Sequence, residues 1–170
     1  MSDFTTTFVC PLGELKILVD TSGRLRRIDF PGHHEPSPGA HEQASACGHV
    51  AQQLAEYFAG ERMQFQLELA LHGTPFQLAA WGALQQIPFG TTASYQQQAE
   101  RIGKPRAVRA IGAANGRNPL PIVVPCHRVI GKDGTLVGFG GGLPKKQWLL
   151  QHERTVLARR ATNPHRLDSR

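Results

Sequence analysis

Asn118-Pro119-Leu120-Pro121-Ile122-Val123-Val124-Pro125-Cys126-His127-Arg128-Val129-Ile130-Gly131 places an apolar run between prolines and a thiol directly after it. Ile122, Val123 and Val124 are β-branched, and the flanking prolines cannot continue a ladder. The run therefore predicts a short buried strand that ends at Cys126. His127 is a base that titrates near neutrality, and Arg128 is a permanent cation. A thiol in that company is expected to have a lowered pKa and to react as the thiolate. Neighbouring side chains on a strand point to opposite faces, so contact between Cys126 and His127 requires a bend or a bridging water. The competing reading of Cys126 is a buried structural thiol.

Upstream of this stretch the pattern is helical. Thr74 as N-cap with Pro75 at the first helical position starts one helix, which carries Phe76, Ala79, Ala80, Leu84 and Ile87. Ser94 caps a second helix through Ile102, Gly103-Lys104-Pro105 forms a turn, and a third helix is predicted over 106–114. Helix, short glycine-containing turn, helix is the layout of a helix-turn-helix. In the third helix, spacing puts Ala107, Ala110, Ile111 and Ala114 on an inward face. Arg109, Gly112, Ala113 and Gly116 fall on the other, where small residues permit close approach of another surface or tight packing of a neighbouring helix. Between positions 101 and 132 there are seven basic residues and no Asp or Glu, which points to a polyanion, most simply nucleic acid.

Downstream, Gly138-Phe139-Gly140-Gly141-Gly142 is a glycine-rich loop without the strand-to-helix spacing of a phosphate loop. Its expected use is a wall that approaches a planar ligand. Pro144 begins a last helix predicted over 145–153, with Trp148, Leu149 and His152 near its buried face. Glu153 in that helix is the candidate to orient and charge-balance His127. The tail from 159 is polar and expected to be disordered.

Residues 4–30 predict a three-stranded meander, and 31–41, rich in proline and glycine, a loop. A helix is predicted over 45–59, and the alternation of Phe65, Leu67, Leu69 and Leu71 predicts a strand over 63–71. The expected class is α+β, with a small meander-and-helix domain over 1–73, a mostly helical domain containing the helix-turn-helix over 74–158, and the tail over 159–170.

The whole chain has 170 residues and a net charge of +6, with 40 % hydrophobic residues. No run is long enough to span a membrane and no secretory signal is visible, so a cytoplasmic protein is expected. Cys10, Cys47 and Cys126 are three and widely spaced, which fits a reducing compartment. His33, His34, His41 and His49 lie near Cys47 but match no metal template. Two function classes remain open on these grounds. One is a cysteine nucleophile acting on an electrophile carried by nucleic acid. The other is a helix-turn-helix DNA-binding module with a structural or sensing cysteine. A cysteine hydrolase is weaker, because nothing marks an oxyanion hole.

Pro125-Cys126-His127-Arg128-Val129-Ile130 resembles the active-site signature of the O6-alkylguanine-DNA alkyltransferases, also called methylated-DNA–protein-cysteine methyltransferases. Pro75-Phe76-Gln77, Trp81, Ile87-Pro88-Phe89-Gly90, Ser94-Tyr95, residues 107–112, Gly116-Arg117-Asn118-Pro119 and Trp148-Leu149-Leu150 follow in that family's order. The likeness is specific over 74–153 and weaker over 1–73.

The resemblance implies single-use repair of DNA by direct reversal. Cys126 would accept the alkyl group, with His127 (through a water) and Glu153 as the deprotonating relay. Tyr95 would be the proton donor to the departing guanine, and Asn118 the tie between the helix-turn-helix and the active-site turn. It implies double-stranded DNA containing O6-alkylguanine as partner, read from the minor groove with the base flipped. Arg109 would act as the finger that replaces that base. Ala107, Ala110, Gly112, Ala113, Ser94, Tyr95 and Arg128 would lie at the DNA. Val124, Pro125, Trp81, Phe139, Gly140 and Gly141 would wall the base pocket. No cofactor, metal or membrane is implied, and the protein is expected to be a monomer that can act cooperatively on DNA. Some relatives have tyrosine and serine where this chain has Phe139 and Gly140, so a hydroxyl contact to guanine O6 passes here to backbone N–H groups.

Overall fold

The computed structural model describes residues 2–164. The first part is a four-stranded sheet of β1 (Phe4–Cys10), β2 (Gly13–Val19), β3 (Leu25–Asp29) and β4 (His41–Glu42), in the order β3-β2-β1-β4. The first three strands are the expected antiparallel meander. β4 begins on the last residue of the stretch read as a loop, and it pairs parallel to β1. Two residues are too short to show a period, so nothing in the sequence marks it.

Alternation decides which face of the sheet is covered. Leu15, Ile17, Val19, Leu25 and Ile28 are buried, and Val50, Leu54 and Tyr57 of α1 (Gly48–Phe58) join them in one core. The segment over 63–71 is not a strand. Phe65, Leu67, Leu69 and Leu71 do pack half-buried against the core, but pairing is limited to one isolated bridge between Leu25 and Leu69. The outer edge of β3 is shared with another part of the chain, because the Ile28 amide donates to the Pro119 carbonyl at 2.9 Å. Alternation reports one-sided burial, and only a free partner edge converts it into a ladder.

The second part is built on α2 (Pro75–Gln85), α3 (Tyr95–Arg101), α4 (Val108–Gly116) and α5 (Leu143–Thr162). Thr74 and Gln77 form a reciprocal capping box on α2, and Ser94 and Gln97 another on α3. The turn after α3 passes through Gly103 at φ 72°. Its amide bonds to the Glu100 carbonyl and the Lys104 amide to that of Ala99, the pattern of a glycine-terminated helix. Ala80, Ala99, Ile111 and Ala114 form the small core where the three helices meet. Gln98, 1 % exposed, exchanges two 2.8 Å amide bonds with Asn115 and so ties α3 to α4.

Two expectations fail here. Residues 122–124 form a turn, not a strand. The tail is also not irregular from 159, since α5 continues to Thr162. Val156 is buried, and Arg160 donates to the carbonyls of Gly60 and Glu61 at 3.0 Å, so the extra turns are held by tertiary contact. Positions 165–170 lie outside the described residues. A single core runs through both parts, joining Leu15, Leu54 and Tyr57 to Trp81, Leu120, Ile122, Leu149 and Val156. Among the described residues no helix is long and apolar enough to cross a membrane.

Candidate active site

The turn over 118–125 is wound around one side chain. Asn118 Oδ1 accepts from the Leu120 amide at 2.9 Å, and its Nδ2 donates to the Val124 carbonyl at 2.7 Å. Ile122 sits at φ 75°, the one non-glycine residue with positive φ among the described residues. A β-branched residue there costs on the order of 1–3 kcal/mol. The turn keeps it because Leu120, Ile122 and Val124 are all fully buried. Beyond Pro125 the chain enters a 3-10 turn, Cys126–Arg128. The chain therefore bends at the Cys-His pair, although no hydrogen bond joins the two side chains among the described residues.

His127 is 0 % exposed and donates from Nε2 to Glu153 Oε1 at 2.8 Å. Its Nδ1 is buried and bonds to no protein group among the described residues. With the proton on Nε2, Nδ1 presents a lone pair. Burial lowers the imidazole pKa, against the pull of Glu153, so the ring is a neutral base. Burial pushes the Glu153 carboxyl up, but the hydrogen bonds from His127 and Arg128 and the Arg128 charge hold it well below the usual carboxylate range. Its Oε2 also accepts the Gly90 amide at 3.0 Å. Gly90 lies at φ 76°, and a Cβ there would stand 2.1 Å from Leu157 Cδ1, so the close approach needs glycine.

Arg128 requires a correction. It was expected to flank the thiol as a cation and to lie at the DNA. It is 6 % exposed and turned inward, with Nε and Nη2 on Glu153 at 2.8–3.2 Å and Nη1 on the Ile87 carbonyl at 2.7 Å. A desolvated guanidinium needs a carboxylate and carbonyls, and the core supplies them. The thiol pKa was also expected to be lowered. Cys126 is 8 % exposed, and burial raises it. The Asn118 side chain, the Lys146 charge and the amides of Cys126 and His127 oppose that rise without reversing it.

Lys146 was missed by the sequence reading. It is 0 % exposed on α5, and Nζ donates to the carbonyls of Val137 and Gly138 at 2.9 and 3.2 Å and to Tyr95 Oη at 3.5 Å. Burial brings its pKa down to about 8, with the Cys126 charge acting the other way. The available signal was its place in the stripe Lys146, Leu149, Leu150, Glu153 and Val156, all on the buried face of α5. Tyr95 donates to the Val137 carbonyl at 2.6 Å, and burial and then the Cys126 charge raise its pKa. The two-residue parallel pair of β5 (Ala93–Ser94) and β6 (Val129–Ile130) brings Ser94 and Tyr95 beside the cysteine turn.

Other predicted residues divide. Phe139 packs edge-on against Phe30 of the first part, with centroids 5.5 Å apart. A Cβ at Gly141 would meet the Phe30 ring at 2.8 Å, whereas Gly140 is unobstructed. Trp81 is 2 % exposed, and its indole N–H donates to the Ala114 carbonyl at 2.9 Å. It therefore has a core position and almost no free face for a base. A cavity of about 500 Å³ lies along the turn, lined by Phe65, Ile122, Val123, Pro125 and Arg128 among others, and Cys126 is not one of its lining residues. On α4, Ile111 and Ala114 face inward as expected, but Ala110 is exposed with Arg109 and Ala113. Ala107 and Gly112 are half-buried. A Cβ at Gly112 would meet nothing within 4 Å, so packing inside the protein does not require glycine there. Six of the seven basic residues over 101–132 are exposed, Arg128 being the exception.

A buried thiol, a neutral histidine and an ionised carboxylate in sequence, next to an exposed basic helix-turn-helix, define a cysteine-dependent protein that works at nucleic acid. The model of the 6-O-methylguanine DNA methyltransferase DNA-binding domain matches residues 75–155, and that of the same family's ribonuclease-like domain matches residues 4–71. The methylated-DNA–protein-cysteine methyltransferase of Salmonella typhimurium is 45 % identical over 159 residues, covering 86 % of this chain and 93 % of its own. The protein of the same name from Mycolicibacterium paratuberculosis is 55 % identical over 131 residues, 76 % and 78 % of the two chains. The crystal structure of Mycobacterium tuberculosis OGT in complex with DNA superposes with a TM-score of 0.86 at 40 % identity, covering 90 % of this chain and 94 % of that one. The chain belongs to the 6-O-methylguanine DNA methyltransferase family.

Proposed function

We propose that the protein repairs O6-alkylguanine in double-stranded DNA by moving the alkyl group to Cys126 once per molecule, acting as a monomer in the cytoplasm. The observation that carries this is the buried Cys126 next in the chain to the hydrogen-bonded His127–Glu153 pair, in a protein whose α4 exposes Arg109, Ala110 and Ala113. His127 Nδ1 takes the thiol proton through one water. The sulfur attacks the alkyl carbon, the bond from that carbon to O6 breaks, and the electron pair leaves with guanine. Tyr95 protonates the guanine ring, and Lys146 keeps Tyr95 and the loop at 137–138 in register. The product S-alkyl-cysteine is a thioether that nothing in the site can hydrolyse.

A thiol 8 % exposed cannot reach a base inside a duplex, so the base has to leave the stack. Phe139, Gly140 and Gly141 form one wall of the space it enters, Pro125 another with the fully buried Val124 behind it, and Asn118 fixes the turn between that space and α4. Arg109 enters the duplex where the base was. Ala107, Ala110, Gly112 and Ala113 let α4 approach the minor groove, and Ser94 with Tyr95 lies at the backbone.

Incubation with excess duplex carrying one O6-methylguanine should give one methyl per protein, located by mass spectrometry on Cys126. Repeated turnover, or a methyl on another residue, would sink this mechanism.

The face of α4 gives a second expected result. Gly112→Ala should leave stability equal or raise it by up to about 1 kcal/mol, because alanine is the better helix former. The same change, and Arg109→Ala, should each weaken duplex binding roughly tenfold, about 1.4 kcal/mol. Urea unfolding and fluorescence anisotropy separate the two effects. Unchanged binding with both variants would remove α4 from the interface.

A further inference from the structure

Glu153 is also reached from the first part of the chain. Tyr57, near the end of α1, is 0 % exposed, and its hydroxyl donates to Glu153 Oε1 at 2.9 Å. That is the oxygen which accepts His127 Nε2–H at 2.8 Å. The ring is fixed by Phe65, Phe89 and His152, with centroids 5.5, 5.9 and 5.3 Å away. His152 Nε2–H also donates to the Tyr57 carbonyl at 2.8 Å. Phenylalanine would satisfy every one of those packing contacts, so the hydroxyl is explained by the carboxylate alone. Burial, and then the Glu153 charge, raise the Tyr57 pKa, which keeps it a donor.

The remaining groups facing the carboxylate are the Arg128 guanidinium and the Gly90 amide. Lys146 and Arg128 act on His127 as like charges, and Cys126 lies beyond it. Within this set Tyr57, His127 and Arg128 Nη2 share Oε1, and Tyr57 is the neutral donor that competes there with His127. Each donor on a carboxylate oxygen reduces the negative charge felt by the next.

We propose that Tyr57 is a positioning residue for the alkyl acceptor: its hydroxyl fixes the Glu153 carboxylate and moderates the pull of that carboxylate on His127. Cys126 is thereby held mainly as the thiol, and the N-terminal part of the chain takes a share in the chemistry. This rests on Cys126 being the acceptor. A single-use thiol that ionised freely would be lost to any passing electrophile, so a restraint on the relay has a direct use.

The test compares the native protein with Tyr57→Phe and with a protein carrying 3-fluorotyrosine at position 57, which has nearly the same shape and is a stronger donor. Two quantities are read: the rate of Cys126 alkylation by iodoacetamide against pH, located by mass spectrometry, and the titration midpoint of the His127 ring by NMR. Tyr57→Phe should raise the His127 midpoint by about half a unit and the neutral-pH alkylation rate roughly threefold. The fluorinated residue should move both the opposite way. If both quantities stay at native values while only the melting temperature changes, or if both variants shift in the same direction, Tyr57 is structural and the proposal fails. Should Tyr57→Phe not fold, the fluorinated protein decides alone. Iodoacetamide needs no DNA, so a native protein that fails to accept methyl from DNA would overturn the repair function separately, leaving the Tyr57 result readable.

Discussion

Cys126→Ser should take up no methyl from a duplex carrying O6-methylguanine and should bind that duplex as tightly as the native protein. A serine hydroxyl is far less acidic than a thiol. The base available to ionise it is His127, a buried neutral imidazole whose pKa is lowered. The binding surface is not touched, because the exposed basic residues and α4 lie outside the buried turn that holds Cys126. Intact-protein mass spectrometry reads the transfer and a mobility-shift titration reads the binding. The other two thiols give no second route. Burial pushes the Cys47 thiol up to about 11, and burial also raises Cys10. Methyl uptake by the serine variant would therefore place the acceptor somewhere the geometry does not, and would overturn the mechanism.

Arg128→Met should reduce stability by about 3–5 kcal/mol, the scale for removing one partner of a buried pair. It would leave the Glu153 carboxylate with Tyr57, His127 and Gly90 as its donors and strip the Ile87 carbonyl of its partner. The pH dependence follows from the sign of the shift. The Glu153 pKa is lowered in the fold, so its contribution is fully present above the ordinary glutamate value of about 4.3 and is lost as pH falls through the native value. His127, held neutral by burial, adds a loss in the same direction as pH falls below about 6.5. The native protein should therefore weaken on acidification, and Arg128→Met should weaken less steeply because its carboxylate is less strongly held. Urea unfolding at neutral and acid pH measures both. If Arg128 were a DNA contact, the substitution would leave stability unchanged and weaken duplex binding.

Much of this protein is legible residue by residue. Thr74-Pro75 and Ser94 with Gln97 state where α2 and α3 begin, because capping is local chemistry between residues three apart. The alternation of Leu15, Ile17 and Val19 states a strand and its buried face. Phe65 to Leu71 states burial but not pairing, since pairing depends on whether another edge is free. The Ile122-Val123-Val124 run misleads for a related reason. Its residues are buried as their chemistry demands, but Asn118 and the surrounding core hold them in a strained turn that no local preference favours.

The candidate site divides in the same way. The sequence by itself determined the thiol, its adjacent histidine, the capped helices and the basic segment, because these are properties of residue types and short spacings. Tertiary structure alone decided where the charges go. Arg128, adjacent to His127 in sequence, turns away from solvent to neutralise Glu153. Lys146, one position in an ordinary helix, becomes the buried clamp on Tyr95. Tyr57, 96 residues before Glu153, supplies a hydrogen bond to it. A buried charge takes its partners from whatever the packed core brings within about 3 Å, and that choice is made by packing across the whole chain.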